Sequence, residues 1–281
     1  MGSESDSGFN NTFSFGGNIP FRYFKLNYDA SVAMFETRIK NGNAVFTSSG
    51  QTENQSINLN YTYFRNTYVK NTVSAGINFV DSKNYINNVF TQVQSRRLGS
   101  LEFALLNNFY TKFGAIFLKL TYIRGLESLS SFDGIPKDRD LPQAEFNAYK
   151  FYLLYNYRFL GILFTASVDG QFSETELFSQ NQYSTGGYYS VRGYELSSTG
   201  STGMTFRNEL SKDFSKHFSL GVFYDYGFTL SPIYDTDRIA STGVFMGVNY
   251  KGANFKVTYA KPILNIMDEK PKFYLLANAK F

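Results

Sequence analysis

The sequence predicts an all-β fold, an antiparallel transmembrane β-barrel. Three observations predict it. Apolar and polar residues alternate with period two along most of the chain, as strands with one wet and one dry face require. Aromatic residues reach 19%, as 30 Phe and 22 Tyr without Trp, and membrane barrels gather rings on the lipid face and at the two interfaces. The connections also alternate between short and long, the pattern of a barrel with tight periplasmic turns and larger extracellular loops.

The strands follow in order. The first runs around Phe9 to Ile19. In Tyr149–Phe159, Tyr149, Phe151, Leu153, Tyr155, Tyr157 and Phe159 share a face opposite Lys150, Asn156 and Arg158. In Phe164–Ser173, Phe164, Ala166, Val168, Gly170 and Phe172 oppose Thr165, Ser167, Asp169, Gln171 and Ser173. Phe218, Leu220, Val222, Tyr224 and Tyr226 oppose Ser219, Gly221, Phe223 and Asp225, and Phe255, Val257 and Tyr259 oppose Asn254, Lys256 and Thr258. Short turns fall near Pro20, Asn66, Tyr110, Leu160, Ser215 and Gly252. Long polar loops are expected at 36–52, 81–95, 125–145, 174–202, 229–241 and 262–270.

This division gives about thirteen strands, whereas single-chain bacterial barrels carry an even number. Residues 1–281 are therefore expected to form one barrel domain that lacks its first strands. Met1–Gly8 (MGSESDSG) reads as part of an extracellular loop. It has neither the basic nor the apolar segment of a signal peptide.

Composition narrows the function classes. The most apolar stretch, Phe159–Ala166, is far shorter than the roughly 20 residues of a membrane helix. A mean hydropathy of −0.27 is compatible with a barrel, which is apolar only outside. There is no cysteine, hence no thiolate metal site. The net charge of +4 is dispersed, and no basic cluster points to nucleic acid. The single histidine, His217, falls at a short turn, a poor place for a general base. Acidic residues in 131–140 (SFDGIPKDRD) lack the spacing of a calcium loop. No cofactor is expected.

The strongest local signal is the segment GGYYSVRGYELSSTGSTGMTFRNELS, Gly186 to Ser211, read as the longest loop. Its centre is Val191, Arg192, Gly193 and Tyr194. Downstream, Phe223, Asp225 and Gly227 sit two apart and point to the inner side of one strand. An arginine among small residues can fold into a wide lumen, where its planar fork suits an inward carboxylate. Gly227 leaves room for backbone to approach the wall, and Phe223 can pack on the loop stem. A watered lumen would screen such a pair to roughly 1–2 kcal/mol. The bland reading, a solvated arginine and an unrelated aspartate, stands level with this one on pattern alone. Lys119, Lys150, Arg158, Asp169, Gln171, Arg207, Glu209 and Lys256 would give the lumen a hydrated, mixed-charge wall.

GGYYSVRGY, GMTFRNELS and FYDYG together closely resemble the haemolysin secretion/activation transporters of two-partner secretion, the ShlB/FhaC/HecB type, a branch of the BamA-related superfamily. AEFNAYKF (Ala144–Phe151) and FSFGGNIPFRYFKL (Phe13–Leu26) extend the resemblance over nearly the whole chain. It implies a sixteen-stranded barrel preceded by two periplasmic POTRA domains that hand an unfolded partner to the barrel for export. Arg192 would be the loop-tip arginine and Asp225 its strand partner. Eight strands precede the VRGY segment here, against the family's eleven, so POTRA domains and the first strands are expected to be absent. The last strand, with Phe273, Leu275, Ala277, Ala279 and Phe281 on one face, resembles the signal read by the barrel-assembly machinery. The implied partners are a secreted TpsA-like polypeptide, outer-membrane lipid and that machinery. A barrel-assembly insertase of the same superfamily is the alternative.

Overall fold

In the computed structural model the described residues are 4–41, 44–91, 95–131, 141–194, 198–230, 237–250, 252–264 and 269–279. They contain no α-helix. The strands are β1 (Glu4–Phe21), β2 (Phe24–Asn41), β3 (Ala44–Arg65), β4 (Val69–Ile86), β5 (Val89–Phe90), β6 (Arg96–Tyr110), β7 (Gly114–Ser131) and β8 (Asn147–Phe159). They continue with β9 (Ile162–Ser173), β10 (Tyr183–Thr185), β11 (Ser198–Gly200), β12 (Thr202–Asp213), β13 (Phe218–Leu230), β14 (Asp237–Tyr250), β15 (Ala253–Pro262) and β16 (Lys272–Ala279). Thirteen of them form one antiparallel meander, β1-β2-β3-β4-β6-β7-β8-β9-β12-β13-β14-β15-β16. The short β5 pairs with β4, and β10 and β11 form a separate ribbon inserted between β9 and β12. Eight meander strands thus precede the VRGY segment.

Register assigns the faces. Asp225 lies opposite Arg207 on β12 and Ser241 on β14, and Arg207 lies opposite Ser167 on β9. Following such pairs puts Lys150, Lys119, Glu102, Asn78, Ser56, Asp29 and Gly16 on the same, inner face. The opposite face carries Leu105, Leu120, Tyr149, Phe172, Leu210, Val222, Val244, Val257 and Leu275, all exposed. A contiguous apolar band of this extent is unstable against water and marks a surface covered by lipid. Ring pairs such as Tyr149–Phe172 and Tyr259–Phe273 bridge neighbouring strands along it.

The short turns fall where alternation ends, at residues 22–23, 66–68, 111–113, 160–161, 214–217 and around 252. At the β8–β9 turn, Leu160 (φ 50°) and Gly161 (φ 78°) both take the left-handed conformation that a two-residue hairpin demands.

The outer connections differ from expectation. Residues 36–41 and 44–52 belong to β2 and β3, paired from Glu36↔Ser49 to Asn41↔Ala44, and do not form a long loop. Glu4–Gly8 belongs to β1, with Glu4 opposite Lys40, and is not loop. β4 likewise runs to Ile86, and β12 starts at Thr202, so the last ten residues of Gly186–Ser211 are strand. For β1–β4 the physical reason is common. About 9–11 residues cross a membrane, but β1 to β4 have 18, 18, 22 and 18. Their outer parts extend beyond the length that lipid covers, so Ser, Thr, Asn and Gly replace the apolar repeat and resemble loop. Strand pairing persists there because the ladder satisfies the backbone without side-chain burial.

Candidate functional site: a loop docked on the inner wall

The segment after β9 folds back over the inner face. Ser173–Gln182 packs against the wall through buried Leu177 and Phe178, with the Arg96 guanidinium 4.1 Å over the Phe178 ring. The β10–β11 ribbon then leads to a tight turn closed by hydrogen bonds from the Gly187 and Ser190 amides to the Tyr194 and Gly187 carbonyls. Gly193 takes φ 97°, a conformation open to glycine. The turn presents Val191, Arg192 and Tyr194, all fully buried.

Arg192 meets Asp225 as a fork. Its Nε donates to Oδ2 at 2.7 Å and its Nη2 to Oδ1 at 2.8 Å, while the Arg192 backbone amide adds a third contact to Oδ2 at 3.2 Å. Nη1 donates to Glu209 Oε1, and the guanidinium carbon lies 3.5 Å over the Phe223 ring. Both members of the Arg192–Asp225 pair have 0% side-chain exposure. Screening by lumen water therefore does not apply. The relevant scale is the buried pair, in which loss of one partner costs about 3–5 kcal/mol. Burial alone would lower the Arg192 pKa. The hydrogen bonds and charge of Asp225, followed by the charge of Glu209, outweigh it and raise the pKa above its ordinary value, so this arginine is a fixed cation.

Neighbours lock the turn from the sides. A Cβ on Gly227 would lie 2.9 Å from the Val191 Cγ2 and 3.1 Å from the Thr185 Cγ2, so the glycine makes the space that Val191 fills. The Tyr194 hydroxyl lies 2.8 Å from the Ala240 carbonyl and also within reach of the Leu264 carbonyl. The Gly193 amide donates to the Tyr274 hydroxyl on β16 at 2.9 Å. Phe223 reaches the guanidinium because Gly243, its register partner, leaves its ring free; a Cβ there would lie 2.7 Å from that ring. Tyr274 and Gly243 carry no local motif. Only cross-strand register brings them to the site.

The wall residues expected from sequence all lie on the inner face. Arg207 donates to the Tyr189 carbonyl of the turn at 3.0 Å. Glu209 bridges Arg192 and Lys256, whose Nζ is 3.4 Å from Oε2. Gln171 donates to the Asn181 and Ser201 carbonyls and so holds the loop stem. The Asp169 carbonyl is 3.1 Å from the Tyr183 hydroxyl, which donates to Thr205 at 2.8 Å. Lys119 pairs with Glu102 at 3.2 Å, and Lys150 sits between Thr121 and Gln171 on neighbouring strands. Arg158 pairs with Asp213 at the short-turn rim, exposed and away from the loop. His217 lies on an exposed turn with Nδ1 2.9 Å from the Asn249 carbonyl. Phe281 and residues 132–140 of the acidic segment lie outside the described residues.

A one-sheet meander with a lipid-covered outer face and a loop latched within defines an outer-membrane β-barrel. More specifically, the chain belongs to the haemolysin secretion/activation protein family ShlB/FhaC/HecB, whose model matches residues 1–250. Among curated relatives it is 28% identical over 198 residues to the outer membrane transporter CdiB of Dickeya dadantii, covering 70% of this chain and 36% of that protein. It is 27% identical to CdiB of an Escherichia coli strain, covering 71% and 34%. Among solved structures, CdiB from Escherichia coli superposes with a TM-score of 0.86 at 22% identity, covering 95% of this chain and 52% of that one. BamA from Haemophilus ducreyi gives 0.53 at 11% identity, covering 96% and 70%. These likenesses establish the barrel fold. The chain spans about a third of the curated relatives it matches and about half of the solved CdiB chain.

Proposed function

We propose that residues 1–281 form the barrel domain of an outer-membrane transporter that secretes a large partner protein, of haemolysin or filamentous-adhesin type, through its lumen. The observation that carries this reading is the forked, fully buried Arg192–Asp225 pair, which ties a long loop to one wall of an otherwise polar interior. The curated relatives are outer membrane transporters by name, which supports the same class. No covalent step is assigned to the chain. The barrel orders and guides, and the partner's folding outside supplies the drive.

The path assigned to the polypeptide runs along β1–β4. Their inner residues, among them Ser14, Asn27, Asp29, Asn54, Ser56 and Asn58, are exposed or half-buried. A groove of about 510 Å³ follows this face past Ser14, Asp29, Ser31, Asn54 and Ser56. Small polar side chains offer an extended chain many weak, exchangeable hydrogen bonds and few tight ones, so it can move on. Lys119, Lys150, Asp169 and Glu102 continue the mixed-charge surface. The C-terminal segment that ends in Phe281 is assigned as the signal read by the barrel-assembly machinery. The insertase alternative has the looser structural likeness, 0.53 against 0.86.

The test is Asp225→Ala in the intact transporter. The expected outcome is altered single-channel conductance in planar bilayers together with reduced secretion of the partner. Unchanged conductance and unchanged secretion would remove the latch from the mechanism.

A further inference from the structure

Around the latch the charges do not balance. Among the described residues, Arg192, Arg207 and Lys256 converge on two carboxylates, Asp225 and Glu209. With the loop docked, the cluster carries one positive charge in excess. With Arg192 removed, Arg207 and Lys256 match Asp225 and Glu209 one for one.

The geometry shows where the exchange would occur. Arg207 stands opposite Asp225 in the β12–β13 register. Its Nε is buried and has no hydrogen-bond partner among the described residues, yet it lies 3.8 Å from Asp225 Oδ1. That oxygen already accepts from Arg192 Nη2 at 2.8 Å. Arg207 is therefore a donor held about one ångström short of a bond that Arg192 occupies. Its Nη1 meanwhile holds the Tyr189 carbonyl, a contact that ends when the turn leaves. On the other carboxylate, Lys256 sits 3.4 Å from Glu209 Oε2 while Arg192 takes Oε1.

We propose that Arg207 and Lys256 are replacement cations: when the loop undocks, Arg207 closes onto Asp225 and Lys256 keeps Glu209, so neither carboxylate is left without a cation at the moment the pair breaks. An uncompensated buried charge is the main cost of breaking such a pair. Supplying a second cation lowers that cost and makes the latch reversible. This inference rests on the docked-loop reading above and adds two positioning residues to it.

The experiment is amide hydrogen exchange of residues 186–194 in the full-length transporter in lipid nanodiscs. The Arg207→Gln/Lys256→Gln double variant is expected to exchange about fivefold more slowly than wild type, the scale of one partly screened ion pair, and Arg207→Lys is expected to return it towards wild type. If Arg207 merely props the turn through Tyr189, exchange becomes faster, and that result, like an unchanged rate, overturns the proposal. Lys256→Gln alone leaves the Tyr189 contact intact and is expected to slow exchange by a smaller factor. Asp225→Ala separates the two ideas. If it fails to accelerate exchange, the docked-loop reading falls and takes this proposal with it. If it accelerates exchange while the double variant is not slowed, only the replacement cations fall.

Discussion

The wall built by β12–β16 and the wall built by β1–β3 belong to one sheet and follow the same alternation, yet their inner faces differ in character. On β12–β15, Thr205, Phe223, Asp225, Ser241, Phe245, Thr258 and Ala260 are all buried. On β1–β3, Ser14, Asn27, Asp29, Asn54, Ser56 and Asn58 face inward and remain exposed or half-buried. The strands themselves do not explain this. The docked turn does, because it brings Val191, Arg192 and Tyr194 onto one wall and turns that wall into a small core. A barrel interior is thus dry where a loop covers it and wet elsewhere, and in this molecule the two conditions lie on different walls.

Four substitutions would break or sharpen that contrast. The largest effect is expected from Asp225→Ala, which leaves Arg192 buried with Glu209 as its remaining close acid. The loop should lose about 3–5 kcal/mol of docking free energy, read as accelerated amide exchange across 186–194. Gly227→Ala comes next. The added methyl group meets Val191 and Thr185 at sub-contact distances, and overpacking of this kind costs about 1–3 kcal/mol. Partial undocking should appear as increased proteolytic cleavage within the turn. Tyr274→Phe removes one neutral hydrogen bond, to the Gly193 amide, and should cost about 1 kcal/mol in the same exchange assay. Asn58→Ala on the wet wall should change thermal stability by no more than about 0.5 kcal/mol. A large loss there would mean that the wet wall is also packed.

Much of this was legible in the sequence. Residues such as Phe164 to Ser173 alternate so regularly that their faces could be assigned without coordinates, and eight strands could be counted before the VRGY segment. The Arg192–Asp225 pairing was legible through the family resemblance, since on pattern and charge alone it stood level with a solvated arginine and an unrelated aspartate. Glu209 was placed on the wall but not at the arginine. Its role depends on β12 and β13 being aligned so that Glu209 faces Phe223, and register is a long-range property. Gly243 and Tyr274 were illegible for the same reason. The projecting parts of β1–β4 read as loops in the sequence because side chains outside the lipid carry no apolar repeat, even where the backbone ladder continues.

The central claim is that docking on β12–β16 leaves β1–β4 as the path. The most direct measurement places a photo-cross-linking residue at Asn58 on β3 or at Phe245 on β14 of the intact transporter and stalls the secreted partner in transit. The account predicts strong cross-links to the partner from position 58 and weak ones from buried position 245. Equal yields, or a stronger signal from position 245, would contradict it.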